Sequence, residues 1–377
     1  MEFSDPMPAT LLAPASIADL QAAVRDHAGT LCVPRGAGTK TALATPPDGV
    51  TPLDLTALSG MIEYAPGEFT FTALAGTRIT AIAAILAEHG QYLPCDPLLA
   101  DAGATLGGTV AAGANGPGRY RYGGLRDFIL GVRYVDGAGD LVYAGGKVVK
   151  NAAGFDVPKL MVGSLGQFGV LAELTFKVFP KPEAYATLRL DLPSVAAGVA
   201  ALIKLTAQPL DLDSLDLTPT AAGATLWVRL AGLAGALPAR IERLRGVLGG
   251  GEKVAEPEEG QLWRAARELT WVPPVLSGVE GAGWSLVKVP VTPKKIVALD
   301  QRLTPDAIRR YSVAGQVAWI ATPDRASLDA ALTEVGLSGL ALVGPAGKAR
   351  LGIQPGTAFE RRVKQALDPS GRFPSRI

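Results

Sequence analysis

Between Gly103 and Gly169 the chain places 17 of its 45 glycines in 67 residues. That density limits what the stretch can become. Each glycine carries extra conformational entropy that folding must remove, and it weakens a helix or strand interior by roughly 0.5–1 kcal/mol relative to alanine. A chain that keeps so many places them where backbone turns sharply or lies close against something else. Single glycines here suit turns between short β-rich pieces at 128–135 and 170–179. The cluster as a whole points to main chain that lines a ligand.

The flanks have a different texture. Ser16-Ile-Ala-Asp19 reads as a capping box, Ile17, Leu20 and Val24 repeat at helical spacing, and Gly29 stops the helix. A short strand at 30–33 runs into Pro34-Arg-Gly-Ala-Gly-Thr39, and further strands are expected at 50–55, 61–64 and 69–74. Thr77 is expected to cap a helix that shows Ile79, Ile82, Ala83 and Leu86 on one face and ends at Gly90. Pro180-Lys-Pro182 marks a boundary. Beyond it, strands at 186–192, 213–217, 224–230, 284–289, 316–321 and 339–343 are interspersed with helices from Ser194 and at 238–247, 261–269, 293–303 and 325–336. That order fits an antiparallel sheet covered on one face. A last helix at 357–367 leads into Asp368-Pro-Ser-Gly-Arg-Phe373. A length of 377 residues exceeds one ordinary core and fits this division.

Three constellations could carry chemistry. In Pro34-Arg-Gly-Ala-Gly-Thr39-Lys40 a tight turn after a strand aims successive N–H groups at one point. That makes an anion nest, to which Arg35 or Lys40 adds charge. Its spacing is that of neither a Walker loop nor a Rossmann turn. From Asp101 to Gly116 small residues allow backbone to lie on a flat or phosphorylated ligand, and Thr105 and Asn115 offer hydrogen bonds. A tightly packed Ala/Gly helix accounts for that spacing equally well. The third constellation runs from Arg119 through Asp127, then over 147–156 and 163–170, and combines cations, aromatics and backbone amides.

Composition excludes several classes. With 36 basic against 35 acidic residues, no field exists to hold a nucleic-acid backbone. The basic run Arg119–Arg126 is interleaved with Tyr and Gly and suits local anion binding. Cys32 and Cys95 make no disulfide framework and fit a reducing compartment. Only His27 and His89 occur, which argues against His-rich metal sites and a His-centred triad. Apolar content is 48%, but charges and prolines interrupt every run before the roughly 18 residues a membrane span needs. No charged segment followed by a long apolar stretch opens the chain, so a cytoplasmic location is expected. The excess of apolar residues would cover a partner.

Taken in order, these stretches resemble the FAD-binding domain of the vanillyl-alcohol oxidase / p-cresol methylhydroxylase (PCMH) superfamily. Within it they are most similar to the FAD-binding E subunits of bacterial glycolate oxidases. The residues carrying the resemblance are Pro34–Thr39, Leu93-Pro-Cys-Asp-Pro97, Ala104–Ala111, Gly123-Gly-Leu-Arg-Asp127, Gly145–Asp156 and Lys159–Gly169. Outside them only the length, the element order and the closing Leu367–Arg372 agree. The resemblance implies an α+β fold. A two-lobed PCMH-type FAD-binding domain would occupy 1–182, with subdomains at about 1–75 and 76–182. An antiparallel-sheet cap domain would follow at 183–345, and a C-terminal helix and tail at 346–377 would return to the FAD domain. It also implies FAD diphosphate at Arg35, Gly36, Ala37, Gly38 and Thr39. Thr105, Gly107, Gly108, Thr109, Asn115 and Gly116 would continue along the diphosphate, ribityl chain and flavin edge. Pro97 would shape the neighbouring wall, and Val170 would offer backbone groups. Where many relatives attach flavin through His or Cys, the first loop here has neither, so non-covalent FAD is expected.

The activity implied is oxidation of glycolate or a related 2-hydroxy acid, in a complex with a catalytic flavin subunit and an iron–sulfur subunit. Such a complex could touch the inner membrane peripherally through its partners. No Cys cluster here can hold iron–sulfur, so that centre lies elsewhere. Two alternatives are a self-sufficient D-lactate or other D-2-hydroxy-acid dehydrogenase and a catalytically silent FAD-binding assembly subunit. The chemistry needs a cationic clamp for the carboxylate, a proton acceptor and a hydride acceptor. Catalytic relatives carry histidines in the cap, and none follows His89 here. That leaves Arg121, Tyr122, Arg126 and Lys150 as candidates. Relatives also end in Asn-Pro-Gly-Arg, where this chain reads Phe373-Pro-Ser-Arg376.

Overall fold

The computed structural model describes residues 11–27, 29–44, 49–146, 155–272 and 283–375. Lys150 lies outside them. The capping box forms: Asp19 N donates to Ser16 Oγ at 3.1 Å, and Ser16 N donates to Asp19 Oδ2 at 3.0 Å. The helix Ile17–Asp26 buries Leu20 and Val24 over the strands Leu31–Arg35 and Val50–Asp54, which pair in parallel.

Five strands make an antiparallel sheet in the order Met61–Ala65, Thr70–Leu74, Val170–Lys177, Ile129–Val135 and Leu141–Gly145. The helix Leu106–Ala112 packs closely beside it. A Cβ on Gly107 would come within 2.8 Å of the Ala75 Cβ. One expected detail changes. Thr77 is not the cap of the helix Ile79–Ala87, whose N-cap position is Arg78 with no side-chain hydrogen bond. The Thr77 hydroxyl instead reaches Leu74 O at 2.7 Å and accepts from Gly60 N at 2.9 Å, tying two loops together.

From Ala184 onward the strands join a nine-stranded antiparallel sheet. Helices cover one face, through Leu202, Ile241, Ile296 and Leu332. The other face packs on the first lobe, through Leu286, Trp319, Ala321 and Val343. Both faces are therefore covered. Side chains alternate along a strand, so Val287 and Val289 enter the helix-side core while Leu286 and Lys288 face the first lobe. Three of its strands were not expected, Ile308–Ser312, Arg350–Gly352 and the short Glu252–Lys253. The charges of the first hid it, because Arg310 lies buried against Asp216 at 2.7 Å instead of pointing to solvent.

The last helix, Thr357–Leu367, forms as read. After it the tail enters the small α/β unit. Arg372 donates to Val24 O and His27 O at the end of the first helix, Cys32 N donates to Arg372 O, and Phe373 is buried with Leu20 and Leu53. Among the described residues no helix is long and apolar enough to cross a membrane.

Candidate functional site

The strand Leu31–Arg35 ends in the expected turn, and a cavity opens over it. Pro34, Arg35, Gly36, Ala37, Gly38, Thr39 and Lys40 form one wall, Thr105, Gly107 and Gly108 a second, and Leu165, Gly166 and Gly169 a third. The cavity volume is about 100 Å³, and it opens to solvent at its mouth. Backbone makes these walls because side chains cannot. A Cβ on Gly36 would meet Thr105 Oγ1 at 2.3 Å, and that hydroxyl already accepts from Gly108 N as the cap of its helix. Gly38 takes φ +71°, and a Cβ there would strike the Arg35 guanidinium at 2.8 Å. Lys40 is buried beside them. Its Nζ reaches only Thr39 Oγ1, at 3.4 Å, and no carboxylate pairs with it among the described residues. Burial lowers its pKa to about 8. A buried cation above a glycine cradle is a site for an anion.

A second cavity adjoins the first, sharing Ala112 and Leu165 with it. Its walls come from segments far apart in sequence: Gly113–Asp127, Val162–Leu165, Lys288 and Pro290, and Ser338–Pro355. Arg119, Arg126, Lys288 and Arg350 face it, against one carboxylate, Asp127, which is engaged by Gly124 N at 2.8 Å. Arg350 is paired with Glu360. Lys288 Nζ donates to Gly113 O at 2.7 Å. Burial, reinforced by repulsion from Arg119, lowers its pKa to about 8. Its alternation in the strand Ser285–Pro290 puts it there.

The expected site residues divide accordingly. Arg35 through Thr39, Thr105, Gly107 and Gly108 line the first cavity. Asn115 and Arg126 line the second. The Asn115 side chain is fully engaged, accepting from Leu125 N at 2.7 Å and donating to Gly113 O at 3.0 Å, and so pins the turn beside the cavity. Pro97, Thr109, Gly116 and Val170 sit behind the walls. Pro97 bridges to Asn115, Gly116 N donates to Asp96 O, and Val170 pairs with Val135 and turns its side chain into a core. Thr109 Oγ1 is buried without a partner. Arg121 and Tyr122 line neither cavity. Arg121 is drawn to Asp211 at 2.9 Å, and Tyr122 packs edge-on against Phe179. Sequence reasoning missed Lys288 and Arg350, and it placed Arg119 in the anion-binding basic run without naming it a candidate for catalysis. The signal for Lys288 was present: a lone cation inside Ser285-Leu-Val-Lys-Val-Pro290 has to leave the apolar alternation somewhere.

Comparison with known proteins now adds to the geometry. Residues 8–145 match the family model of the FAD binding domain. Glycolate oxidase subunit GlcE of Escherichia coli (strain K12) is 41% identical over 239 residues, which cover 63% of this chain and 64% of that protein. Glycolate oxidase subunit GlcD of Bacillus subtilis (strain 168) is 31% identical over 188 residues, 49% of this chain and 40% of that one. Each match spans less than two thirds of the relative's length. In three dimensions, alkyldihydroxyacetonephosphate synthase superposes with a TM-score of 0.72 at 15% identity, covering 96% of this chain and 76% of the synthase. The fold is therefore the α+β, PCMH-type one, with an antiparallel-sheet cap. The stretch that matches the family model contributes the loop Pro34–Lys40 and the Thr105–Gly108 wall of the first cavity. The fit is chemical as well as steric: a cradle that any Cβ would fill, with one unpaired buried ammonium, suits a diphosphate.

Proposed function

We propose that this chain is the FAD-binding subunit of a multi-subunit glycolate dehydrogenase or oxidase that converts glycolate to glyoxylate and passes electrons to partner subunits. The partners are a catalytic flavin subunit and an iron–sulfur subunit, through which the complex would lie at the inner membrane. One observation carries the reading. A glycine-lined cavity with a buried lysine adjoins a second cavity faced by Arg119, Arg126 and Lys288, none of which forms a salt bridge among the described residues. The likeness to two glycolate oxidase subunits supports it.

In this reading Arg35, Gly36, Ala37, Gly38 and Thr39 hold the FAD diphosphate through main-chain N–H groups, with Lys40 supplying charge. Thr105, Gly107 and Gly108 let the cofactor lie against backbone. Asn115 fixes the turn at the join of the two cavities, and Thr109, Gly116, Pro97 and Val170 support the walls from behind. FAD, when bound, supplies an acceptor for the electron pair of the 2-hydroxy acid. Arg119, Arg126 and Lys288 receive the substrate carboxylate. Lys150, outside the described residues, handles the hydroxyl proton. FAD is held non-covalently, since no His or Cys lines either cavity. The division at 182 and 345 assigns cofactor binding to the first part, the lid over the second cavity to the middle part, and closure to the last.

The test is to purify the chain alone and inside the complex from its source cell, quantify the flavin, and assay glycolate-dependent dye reduction. The reading expects FAD that denaturation releases, no turnover by the chain alone, and turnover by the complex. Robust turnover without partners would replace it with a self-sufficient dehydrogenase. FAD that dithionite reduces but glycolate never does, even in the complex, would leave an assembly subunit.

A further inference from the structure

The helix Thr357–Leu367 buries none of its residues fully, yet Glu360 reaches a wall residue of the second cavity, and both Glu360 and Lys364 reach Gln167 in the turn that carries Leu165. Glu360 Oε1 accepts from Gln167 Nε2 at 3.0 Å and from Arg350 Nη2 at 2.5 Å, and its Oε2 accepts from Arg350 Nη1 at 2.7 Å. Arg350 lines the second cavity. Gln167, 1% exposed, closes the turn from Gly163. Its amide also donates to Ser164 O at 3.1 Å, and Lys364 Nζ donates to its carbonyl at 2.8 Å. Within that turn stands Leu165, which lines both cavities. Its φ is +54°, followed by +75° at Gly166, whose Cα packs so near Pro34 that a Cβ would meet Pro34 Cγ at 2.7 Å. A leucine in the left-handed region persists only where its surroundings over-determine it. Gln167 is the buried polar residue through which the C-terminal helix supplies part of that hold.

We propose that Glu360 is a positioning residue that couples the two cavities, gripping Arg350 at the anion end and Gln167 behind the cofactor wall. This rests on the reading above, with FAD in the first cavity and a carboxylate in the second. The guanidinium fork already spends two donors on Glu360. A ligand carboxylate drawing on Arg350 therefore competes with Glu360 or shares it, and either changes the hold on Gln167 and Leu165. The Arg350 hydrogen bonds keep the Glu360 carboxyl below the usual carboxylate range, so the link is charged at neutral pH. Coupling through one shared carboxylate is reciprocal: whatever the anion does to FAD affinity, FAD does to anion affinity.

The experiment uses the full chain and oxalate as the probe. FAD dissociation constants are measured by flavin fluorescence with and without saturating oxalate, for the wild type, Glu360→Ala and Glu360→Gln. In the wild type oxalate shifts FAD affinity by about fivefold or more. Glu360→Ala weakens FAD binding by a similar factor and loses the oxalate shift. Glu360→Gln keeps an oxygen for Gln167 but not the charge for Arg350, so it retains most FAD affinity while losing the shift. A merely structural role would not separate these two readouts. Variants that bind FAD and respond to oxalate as the wild type does overturn the proposal, as does a wild type with no oxalate shift. If Glu360→Ala does not fold, the response of Glu360→Gln decides. A wild-type chain that takes up no FAD at all brings down the functional reading instead, before any variant is compared.

Discussion

The two cavities are built in opposite ways. The first is made largely of main chain from three short motifs, and its shape depends on what is missing from Gly36, Gly38 and Gly107. The second is made of residues that arrive from four segments, the most distant in sequence being Ala112 and Pro355. A backbone cradle tolerates almost no added atom but asks little of any one side chain. A side-chain site tolerates change of shape yet depends on each charge. The contrast teaches that steric substitutions should empty the first cavity and charge substitutions the second.

The largest effect expected is at Gly36. In Gly36→Val the new side chain meets Thr105 Oγ1, which cannot move without uncapping its helix. Overpacking of this kind costs about 1–3 kcal/mol, roughly 10–100-fold in affinity. FAD titration by fluorescence should show that loss, while calorimetry on the apo chain should find oxalate binding unchanged. Loss of both ligands together would break the contrast. Next is Lys288→Met, which keeps the volume but removes a charge-assisted partner. Oxalate affinity should fall by about tenfold, with flavin content at saturating FAD unaltered. Equal oxalate affinity in wild type and variant would remove Lys288 from the site.

A pH series sharpens the comparison, because each cavity holds one lysine whose pKa is lowered to about 8. Above that pH each loses its proton and its attraction for an anion. Oxalate affinity, and FAD affinity through the diphosphate, should both decline between pH 7 and 9, and Lys288→Met should flatten the oxalate curve alone. The sign for stability is opposite. These folded-state values lie below the 10.5 of an unperturbed lysine, so the unfolded chain binds more protons between about 8 and 10.5, and the apo protein gains stability there. Urea midpoints at pH 7.5 and 9.5, wild type against the two Lys→Met variants, measure that gain. The smallest effect belongs to Arg121→Ala. Its partner Asp211 is largely exposed, and such pairs contribute about 0–1 kcal/mol. Oxalate binding should not change. A marked loss would restore Arg121 to the site.

Much of this protein was legible in its residues. Ser16 and Asp19 form the capping box they spell, the helix Thr357–Leu367 keeps its expected bounds, and the turn after the first strand lies where its glycines put it. Thr77 misled because its hydroxyl found loop partners in place of a helix end. The strand Ile308–Ser312 went unread because two arginines interrupt its apolar pattern, and both are neutralised inside the fold. Arg121 and Tyr122 misled because closeness in sequence to the glycine cluster says nothing of direction, and both turn away to partners on other elements.

Local rules of backbone and pattern were enough to announce a glycine-lined anion cradle, because each of its walls is a short contiguous run, at 34–40, 105–108 and 165–169, that can be read by itself. They could not announce the second cavity. Lys288 meets Gly113, and Glu360 meets both Gln167 and Arg350, only after a nine-stranded sheet and a returning C-terminal helix have been packed on the first lobe. Polar groups 193 positions apart, as Gln167 and Glu360 are, become neighbours through burial of apolar faces, which selects a packing without regard to the polar groups it brings together.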